Sequence, residues 1–310
     1  MQLKRYQERV ISEVKLFLEA LASEQATGSQ YASLAAWDKA KKLFYLPGDY
    51  RPRKNDLGKD LATFCIKVPT GGGKTLLATQ ILGLVYQTIL KNRNGTGLVL
   101  WVVPSDQIYK DTLKALRDRR HPYRESLEFS LSRRIEVWEK HEIFRLMPGQ
   151  LHSNLNILLL KLASTNRETR EQLKFFRDSG GNIVQHFPPE NDPEKHKALK
   201  AQFPNLDMLG EDDGKEEGLV KTSLGNLVRL CEPAVVLDEG HKATSELARS
   251  TIEGFNASVV VELSATPPTE ANVLVRVTGK ELLDEQMIKL PINIANSNQP
   301  SWKHCLTQAR

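Results

Sequence analysis

A glycine-rich turn between a predicted strand and a predicted helix constrains the fold of this 310-residue chain more than any other feature. The apolar run 62–68 is typical of a buried strand, and apolar residues at three- and four-residue steps over 74–90 are typical of a helix. Three consecutive glycines, Gly71, Gly72 and Gly73, lie between them. Because glycine adopts backbone conformations that other residues avoid, the chain can turn sharply there and point successive N–H groups toward one place. This order predicts one unit of a parallel α/β sheet.

The same turn has the composition of a phosphate-binding loop. The sequence PTGGGKT at 69–75 ends a strand and opens a helix, which is the context that such a loop requires. Backbone N–H groups would surround phosphate oxygens, the Lys74 ammonium would reach the β- and γ-phosphates, and the Thr75 hydroxyl would ligate Mg²⁺. The alternative, a glycine-rich turn with an exposed lysine, leaves the coincidence of strand, loop, Lys-Thr pair and helix unexplained. The predicted nucleotide-binding residues are Thr70, Gly71, Gly72, Gly73, Lys74 and Thr75.

Short apolar runs alternate with helical patterns along most of the chain. A first helix is predicted over 3–21, and residues 23–60 are predicted to be loop with room for one helix. Further apolar runs are found at 97–103, 155–160, 233–237 and 258–263. The alternation predicts a mostly parallel sheet covered by helices on both faces, which binds ligands at the carboxyl ends of its strands.

Residues 178–222 interrupt this alternation. They combine paired glycines, several prolines and an acidic run at 211–213, and they predict a polar, solvated insertion. Residues 1–290 are therefore predicted to form one α/β lobe that carries this insertion. Residues 291–310 are polar and turn-rich, and we expect them to be a linker or the truncated start of a second lobe.

Two further segments place acidic or hydroxyl side chains directly after apolar strands. Asp238 and Glu239 follow the run 233–237. Beside a phosphate loop, one carboxylate is needed to hold Mg²⁺ and a second can activate water, which suits Asp238 and Glu239 respectively. An Asp-Glu pair alone is common on surfaces, so its weight comes from the strand before it and the loop upstream. Ser264 and Thr266 follow the run 258–263, and their hydroxyls could hydrogen-bond the Asp-Glu segment and relay nucleotide state.

Together these segments resemble the superfamily 2 helicase and translocase motors, whose first lobe is a RecA-like phosphate-loop NTPase fold. Strict phosphate loops have glycine where this chain has Val68, but motif I of the superfamily has a small or apolar residue there. The sequence DEGH at 238–241 resembles motif II, the DEAD/DEAH box, with glycine third. The sequence SAT at 264–266 resembles motif III, which couples ATP hydrolysis to nucleic-acid binding. The catalytic residues that the resemblance implies are Lys74, Asp238, Glu239 and His241.

Two shorter matches extend the resemblance. The sequence VPS at 103–105, followed by Gln107, resembles motif Ia, which implies that Ser105 and Gln107 contact the nucleic-acid backbone. The sequence LKRYQ at 3–7 resembles the adenine-reading Q motif, which places Gln7 on the edge of the base. An ordinary start of an amphipathic helix is the alternative for this last segment.

Within the superfamily the nearest likeness is to the Res subunit of type III restriction enzymes, over roughly residues 1–295. It is carried by the PTGGGKT loop, the DEGH box and the sequence MIKLPI at 287–292. The likeness implies ATP and Mg²⁺ as cofactors, ATP hydrolysis as the reaction, and DNA in duplex form as a partner. It also implies a second RecA-like lobe and, as in restriction–modification systems, a methyltransferase subunit.

The sequence departs from a complete motor of this kind after Thr266. In such motors ATP lies between two lobes, and the second lobe supplies arginine fingers worth about 10³–10⁵ in rate. The short stretch after Thr266 offers no such lobe. We therefore expect this chain alone to bind Mg·ATP, to hydrolyse it weakly and not to unwind duplexes, and we expect it to be a fragment or a truncated reading frame. A nuclease site, which the restriction family carries in a separate C-terminal domain, is expected to be absent.

Charge and composition limit the partners and the cellular location that are expected of the chain. Forty-three Lys and Arg against 38 Asp and Glu give a net charge of +5, which permits nucleic-acid binding without requiring it. Residues 114–134 hold seven basic and three acidic residues, and they are either a DNA-contacting segment or a solvated surface. No apolar run approaches the roughly 18–20 residues of a membrane span, and no signal peptide is apparent, so a cytoplasmic location is expected. The cysteines and histidines lack metal-ligand spacing.

Two other functions stay open at this point. The chain could be a nucleotide-gated DNA-binding module that needs a partner lobe for turnover, or an unrelated phosphate-loop kinase or transporter ATPase. The order of motifs Ia, II and III disfavours the unrelated ATPase. DNA-stimulated ATP turnover would distinguish a motor from a gated module, and indifference to nucleic acid would favour the unrelated ATPase.

Overall fold

A computed structural model describes residues 2–91, 96–131, 134–161, 180–210, 218–239 and 246–287 of the chain. Its strands are β1 (Ala62–Lys67), β2 (Leu98–Val103), β3 (Ile135–Trp138), β4 (Leu155–Lys161), β5 (Ala234–Asp238), β6 (Val259–Ser264) and β7 (Val273–Arg276). Its α-helices are α1 (Arg5–Ala26), α2 (Ala32–Phe44), α3 (Lys74–Val85), α4 (Asp106–Arg117), α5 (Pro122–Leu131), α6 (Pro148–Ser153), α7 (Pro193–Gln202), α8 (Leu224–Cys231), α9 (Glu246–Glu253) and α10 (Gly279–Asp284). A π-helical turn, Tyr86–Leu90, continues α3, and 3₁₀ turns cover Ile143–Arg145 and Gly181–His186.

The seven strands form one sheet in the order β3-β4-β2-β5-β6-β1-β7, and every neighbouring pair is parallel. This confirms the predicted parallel α/β fold, including all five strands expected from apolar runs. The sequence reasoning missed β3 and β7, which lie at the two edges and have four residues each. Edge strands are partly solvated, so they lack the continuous apolar run that marks a central strand.

Two apolar layers cover the sheet because alternate residues of each central strand point to opposite faces. On β2, Val99, Trp101 and Val103 join the first layer, and Leu98, Leu100 and Val102 join the second. Helices α1, α2, α3 and α5 supply buried residues to the first layer, and α6 and α8 supply them to the second. Within the described residues, every helix is too short or too polar to cross a bilayer.

The segment 178–222 does not lie in solvent, as its composition predicted. Over its described parts, it buries six apolar residues in the second layer, and these are Ile183, Phe187, Phe203, Leu206, Met208 and Val220. Its backbone is tied down by an antiparallel bridge between Met208 and Val220, and by a hydrogen bond from the Val220 N–H to His196 Nδ1. The expectation of a solvated insertion is wrong here because widely spaced apolar residues, without helix or strand periodicity, still cover one face of the sheet.

Two buried tryptophans offer a matched test of indole hydrogen bonding. The Trp37 Nε1–H donates to the Gly48 carbonyl at 3.2 Å, whereas among the described residues the buried Trp101 Nε1–H has no partner. Both side chains are at most 1% exposed. We expect Trp101→Phe to be less destabilising than Trp37→Phe by about 1–3 kcal/mol, because only the former removes an unsatisfied buried donor. Urea unfolding of the two variants measures the difference, and an equal or larger loss for Trp101→Phe would contradict it.

Candidate functional site

Three neighbouring strand ends bring the main sequence motifs to one edge of the sheet. In the register, Lys67 of β1 pairs with Ser264 of β6, and Leu263 of β6 pairs with Asp238 of β5. The Val68 N–H also donates to the Ser264 carbonyl at 2.9 Å. Ser264 therefore lies between the glycine-rich loop after β1 and the Asp238-Glu239 pair after β5. Carboxyl ends of parallel strands are where α/β sheets bind ligands.

The loop between β1 and α3 has the backbone conformation of an anion cradle. Gly71 and Gly73 have φ of +85° and +73°, in the left-handed region that side chains disfavour. Gly73 is the N-cap of α3, so the unpaired N–H groups of the first helical turn face the loop. These N–H groups and the helix dipole favour an anion at this point. Lys74 and Thr75 are the first two residues of α3, and Thr70 is exposed on the loop.

Gly72 and Val68 are sterically interlocked. A Cβ at position 72 would lie 2.5 Å from Val68 Cγ1 and 3.1 Å from the Pro69 carbonyl oxygen. The Val68 side chain is fully buried and therefore has little room to retreat. Valine at 68, where strict phosphate loops have glycine, thus requires glycine at 72, which explains the middle glycine of the loop.

This interlock predicts a coupled pair of substitutions. We expect Gly72→Ala to cost about 1–3 kcal/mol of folding stability, because the new methyl overpacks the loop. Gly149→Ala is the control, since a Cβ there meets nothing within 4 Å. Adding Val68→Ala to Gly72→Ala should cost less than the sum of the two single losses, and chemical unfolding of the wild type, Val68→Ala, Gly72→Ala, the double variant and the control measures it. Additive losses in the double variant would contradict the interlock.

The start of α1 holds the loop from one side. The Tyr6 hydroxyl donates to the Gly72 carbonyl at 2.9 Å, and Gln7 Nε2 donates to the Tyr6 hydroxyl at 3.2 Å. Gln7 Oε1 accepts from the Lys4 N–H at 3.0 Å, and a Cβ on Gly73 would lie 2.9 Å from Gln7 Nε2. Gln7 is therefore beside the glycine-rich loop, but it is only 2% exposed. These two bonds use one donor and one acceptor of an amide that has two of each.

Helix α10 holds the loop from the other side, which sequence reasoning did not anticipate. Leu282 Cδ2 lies 3.2 Å from the position of a Cβ at Gly72, and the Met287 carbonyl oxygen lies 3.9 Å from one at Gly71. Between the start of α1 and α10 lies a cleft of about 480 Å³. Its lining residues are Arg5, Tyr6, Arg9, Glu281, Asp284 and Glu285. An ion pair between Arg9 and Glu281, at 2.8 Å, joins its two walls.

The charged groups of the site are close together and largely buried. Lys74 Nζ lies 2.8 Å from Glu239 Oε1, and these side chains are 10% and 19% exposed. Burial, together with the Glu239 carboxylate, raises the pKa of Asp238 to about 6, while the Lys74 ammonium opposes this rise. Glu239 has a φ of +56°, which is costly for a residue with a side chain. Two features of the folded site are therefore unfavourable: the closeness of the largely buried Asp238 and Glu239 carboxylates, and the backbone conformation of Glu239.

Removing the Asp238 charge is expected to stabilise the metal-free protein at high pH. The folded-state pKa of about 6 lies above the ordinary 3.8, so the folded state binds this proton more tightly than the unfolded state. The loss of folding stability that comes from ionising Asp238 in the folded state is therefore absent below pH 3.8. It grows between pH 3.8 and about pH 6, and it is fully present above that pH. Asp238→Asn should therefore gain about 1–3 kcal/mol at pH 8 and nothing at pH 3.5. Unfolding with a chelator present measures this, and exposed Asp38→Asn is the control. A pH-independent difference would contradict it.

Tyr123 of α5 is a neighbour of the site that no sequence signal marked. Burial and the Asp238 carboxylate both raise the pKa of the Tyr123 phenol. The ring is half-buried and packs against the first apolar layer. Tyr123 is far from Asp238 along the chain, so only the folding of α5 against α3 brings it near the site.

The remaining predicted residues have local roles in the described structure. Ser105 is the N-cap of α4 and accepts from the Ile108 N–H at 3.4 Å, and Gln107 Nε2 donates to Asp111 at 3.0 Å. Ser264 Oγ accepts from the Thr266 N–H at 3.2 Å. His241 and residues 288–310 lie outside the described residues.

The basic residues of segment 114–134 fall into two groups in the described structure. Some are buried or ion-paired, and the others are exposed. Arg124 is 5% exposed and donates to the Leu116 and Ile135 carbonyls, so for this residue both alternatives, a DNA contact and a solvated surface, are wrong. Arg117 pairs with Glu139 and Glu142, and Arg134 pairs with Glu136. Arg133 lies outside the described residues. Exposed basic residues that show no ion pair within the described part of the chain are Lys114, Arg119 and Arg120.

Comparison with known proteins gives a family match over most of the chain. A family model described as type III restriction enzyme, res subunit, matches residues 1–269. A search of curated proteins gives no match. A solved structure of a nuclease-deletion mutant of the Type ISP restriction-modification enzyme LlaGI, in complex with a DNA substrate mimic, is 12% identical with a TM-score of 0.39. That alignment covers 93% of this chain but 21% of the other, so this chain spans about a fifth of the length of that protein.

Proposed function

Because the chain belongs to the type III restriction enzyme res subunit family and is a superfamily 2 helicase-like domain, we propose that it is the ATP-binding first lobe of a DNA motor. In this motor ATP hydrolysis is coupled to the binding of duplex DNA. The observation that carries this is the contact between Lys74 of the phosphate loop and Glu239 of the Asp-Glu pair, at 2.8 Å. It brings the proposed phosphate-binding cation and the proposed catalytic base into one site.

The phosphates are proposed to bind on the loop Thr70–Thr75. Positive φ at Gly71 and Gly73, the interlocked Gly72 and the free N–H groups at the start of α3 all fit an anion. The Lys74 ammonium would leave Glu239 and bind the β- and γ-phosphates. The same movement would release the Glu239 carboxylate from Lys74, so that it could accept the proton of the water that attacks the γ-phosphate.

Oxygen ligands suitable for Mg²⁺ are available at the same edge. The Thr75 hydroxyl and the Asp238 carboxylate are hard donors of the kind that Mg²⁺ prefers, and they would hold it beside the phosphates. The bound metal would neutralise negative charge on the triphosphate. The Glu239 carboxylate would orient water and accept its proton, and His241 is proposed to complete the catalytic set.

The nucleoside is proposed to lie against the cleft between α1 and α10. The cleft begins at Tyr6, which is hydrogen-bonded to the phosphate loop, and its volume of about 480 Å³ is sufficient for a nucleoside. Gln7 has one donor and one acceptor beyond its two described bonds, and this pair matches the N7 and N6–H groups of adenine. Because Gln7 is buried, this contact requires Lys4 or Tyr6 to shift.

DNA is proposed to lie across the carboxyl ends of β2 and neighbouring strands. Ser105 and Gln107 would contact its backbone, and the exposed Lys114, Arg119 and Arg120 would add electrostatic attraction. Ser264 and Thr266 would relay nucleotide state to this surface. A second RecA-like lobe, which would follow the lobe 1–290, and a modification methyltransferase subunit are further proposed partners. Without the arginine fingers of that lobe, turnover by this chain would be weak.

The first experiment is ATP turnover and Mg·ATP binding by the purified chain, with and without duplex and single-stranded DNA. We expect micromolar-range nucleotide binding and slow turnover that DNA accelerates and salt suppresses. Nucleotide binding with turnover indifferent to every nucleic acid would overturn the DNA motor and favour an unrelated ATPase. Failure to bind any nucleoside triphosphate would overturn the whole assignment.

A further inference from the structure

A buried carboxylate lies in the middle of the sheet, outside the site described above. Glu262 is 7% exposed on β6, the strand between the phosphate-loop strand and the Asp238 strand. The other residues of β6 before Ser264 are valine or leucine. A buried charge is costly unless it is paired, so its presence among apolar residues requires an explanation. Because alternate strand residues share a face, Glu262 and Ser264 point to the same side of the sheet.

Glu262 is the most buried member of a network of charges that reaches the surface. Arg53, from the loop before β1, places Nη1 3.8 Å from Glu262 Oε1. Arg249 of α9 is close enough to interact electrostatically with Glu262, and its Nη2 lies 2.5 Å from Glu270 Oε1. The network thus consists of two ion pairs, Arg53–Glu262 and Arg249–Glu270, with Arg249 near enough to Glu262 to interact with it electrostatically. Glu253 of α9 also faces Arg53 and Arg249.

The network connects the two segments that leave the site. Within the described residues, α9 is the next helix after Asp238 and Glu239, and Glu270 is four residues beyond Thr266. The Arg249–Glu270 pair therefore ties the segment that follows the Asp-Glu pair to the segment that follows Ser264-Ala265-Thr266. Ser264 is in turn bonded through its carbonyl to the Val68 N–H at the phosphate loop.

We propose that Arg249, Glu270 and Glu262 are positioning residues that keep the segment after Ser264–Thr266 in a fixed relation to the segment after Asp238–Glu239. Apolar side chains at these positions could pack in more than one arrangement of the two segments. Charged side chains are satisfied only in the arrangement that pairs them. A shift at Asp238–Glu239 on nucleotide binding would thus move the segment that follows Thr266. This inference rests on the proposed function, since it concerns how the nucleotide site and the DNA surface are coupled.

The test is a double-variant cycle on nucleotide-dependent DNA affinity. Duplex DNA affinity is measured by fluorescence anisotropy with and without a non-hydrolysable ATP analogue, in the full chain and in Arg249→Gln, Glu270→Gln and their combination. We expect the ratio of the two affinities to be about 5-fold or more in the wild type and to fall toward unity in each single variant. The combined variant should be no worse than either single one, because the two residues act as a pair. Glu262→Gln should lower the ratio in the same way.

Two controls separate coupling from simple destabilisation. The Arg229–Asp207 pair, at 2.9 Å, has a carboxylate as exposed as that of Glu270 but lies outside the network, so Asp207→Asn should leave the ratio unchanged. Affinity for the ATP analogue alone, and the unfolding midpoint, should stay near wild-type values in Glu270→Gln. A wild-type ratio that survives in Arg249→Gln and Glu270→Gln would overturn the inference only. A wild type that binds no DNA in either state would overturn the proposed function as well.

Discussion

Replacing Lys74 with alanine is expected to lower the affinity for Mg·ATP by at least about 100-fold, which corresponds to about 3 kcal/mol. The Lys74 ammonium is the cation that stands between the start of α3 and the carboxylates of Asp238 and Glu239. Without this ammonium, the two carboxylates would repel a triphosphate bound on the loop, and position 74 would supply no positive charge to offset the repulsion. Ion pairs at such largely buried positions contribute several-fold more than exposed pairs, because water screens them less.

Titration with a fluorescent ATP analogue measures this loss. Lys39→Ala is the control, because it also removes an ion-paired ammonium, 2.6 Å from Glu24, but on the surface of α2. The control should bind the analogue like the wild type. Wild-type affinity in Lys74→Ala would mean that the loop is only a turn and that the nucleotide, if any, binds elsewhere.

Replacing Glu239 with glutamine is expected to lower ATP turnover about 10²–10³-fold while nucleotide affinity stays the same or rises. Glutamine keeps the shape of the side chain but cannot accept the proton of the attacking water. It also holds Lys74 less strongly than the carboxylate does, so the ammonium is more available to the phosphates. Opposite effects on turnover and affinity are the signature of a catalytic base that also restrains the phosphate-binding lysine.

Glu232→Gln is an unusually close control for this variant. Glu232 also has a positive φ, +44°, and pairs with a lysine, Lys59, at 2.7 Å, but it lies at the end of α8, away from the phosphate loop. Turnover in Glu232→Gln should stay within about twofold of wild type, since rate losses of general-base removal are far larger. Equal losses in both variants would indicate a structural role for Glu239 and would remove it from the catalytic set.

The sequence predicted the centre of the sheet better than its edges. The run 97–103 is apolar on both faces, and the run 258–263 is so apart from Ser258 and Glu262; such runs are typical of strands that helices cover on both sides, so β2 and β6 were recognisable. Strands β3 and β7 are half-solvated and short, so composition does not separate them from loop. The second layer was also underestimated, because Phe203 and Leu206 have no periodic neighbours to mark them as buried.

The candidate site divides in a similar way between local and distant residues. Loop and cap residues such as Gly73 and Ser105 follow from local chemistry, because a glycine turn or an N-cap is determined within a few positions. Leu282 and Tyr123 reach the site from distant parts of the chain, and nothing in their local sequence indicates it. Arg124 shows the reverse error: a basic run predicts an exposed surface, but a guanidinium that meets two carbonyls belongs to the interior. The nucleotide, metal and DNA contacts stay predictions.

The interlock of Val68 with Gly72 restricts the order in which this loop can evolve. A lineage that first gained a side chain at 72 would pass through a clash of 2.5 Å, whereas one that first lost the valine would not. A loop with glycine at 72 can thus change into a loop with glycine at 68 without a clash only if Val68 is replaced before Gly72. We expect the residues at 68 and 72 to covary among relatives of this chain. A sequence pattern that requires glycine at 68 would therefore overlook the relatives that have valine at 68 and glycine at 72.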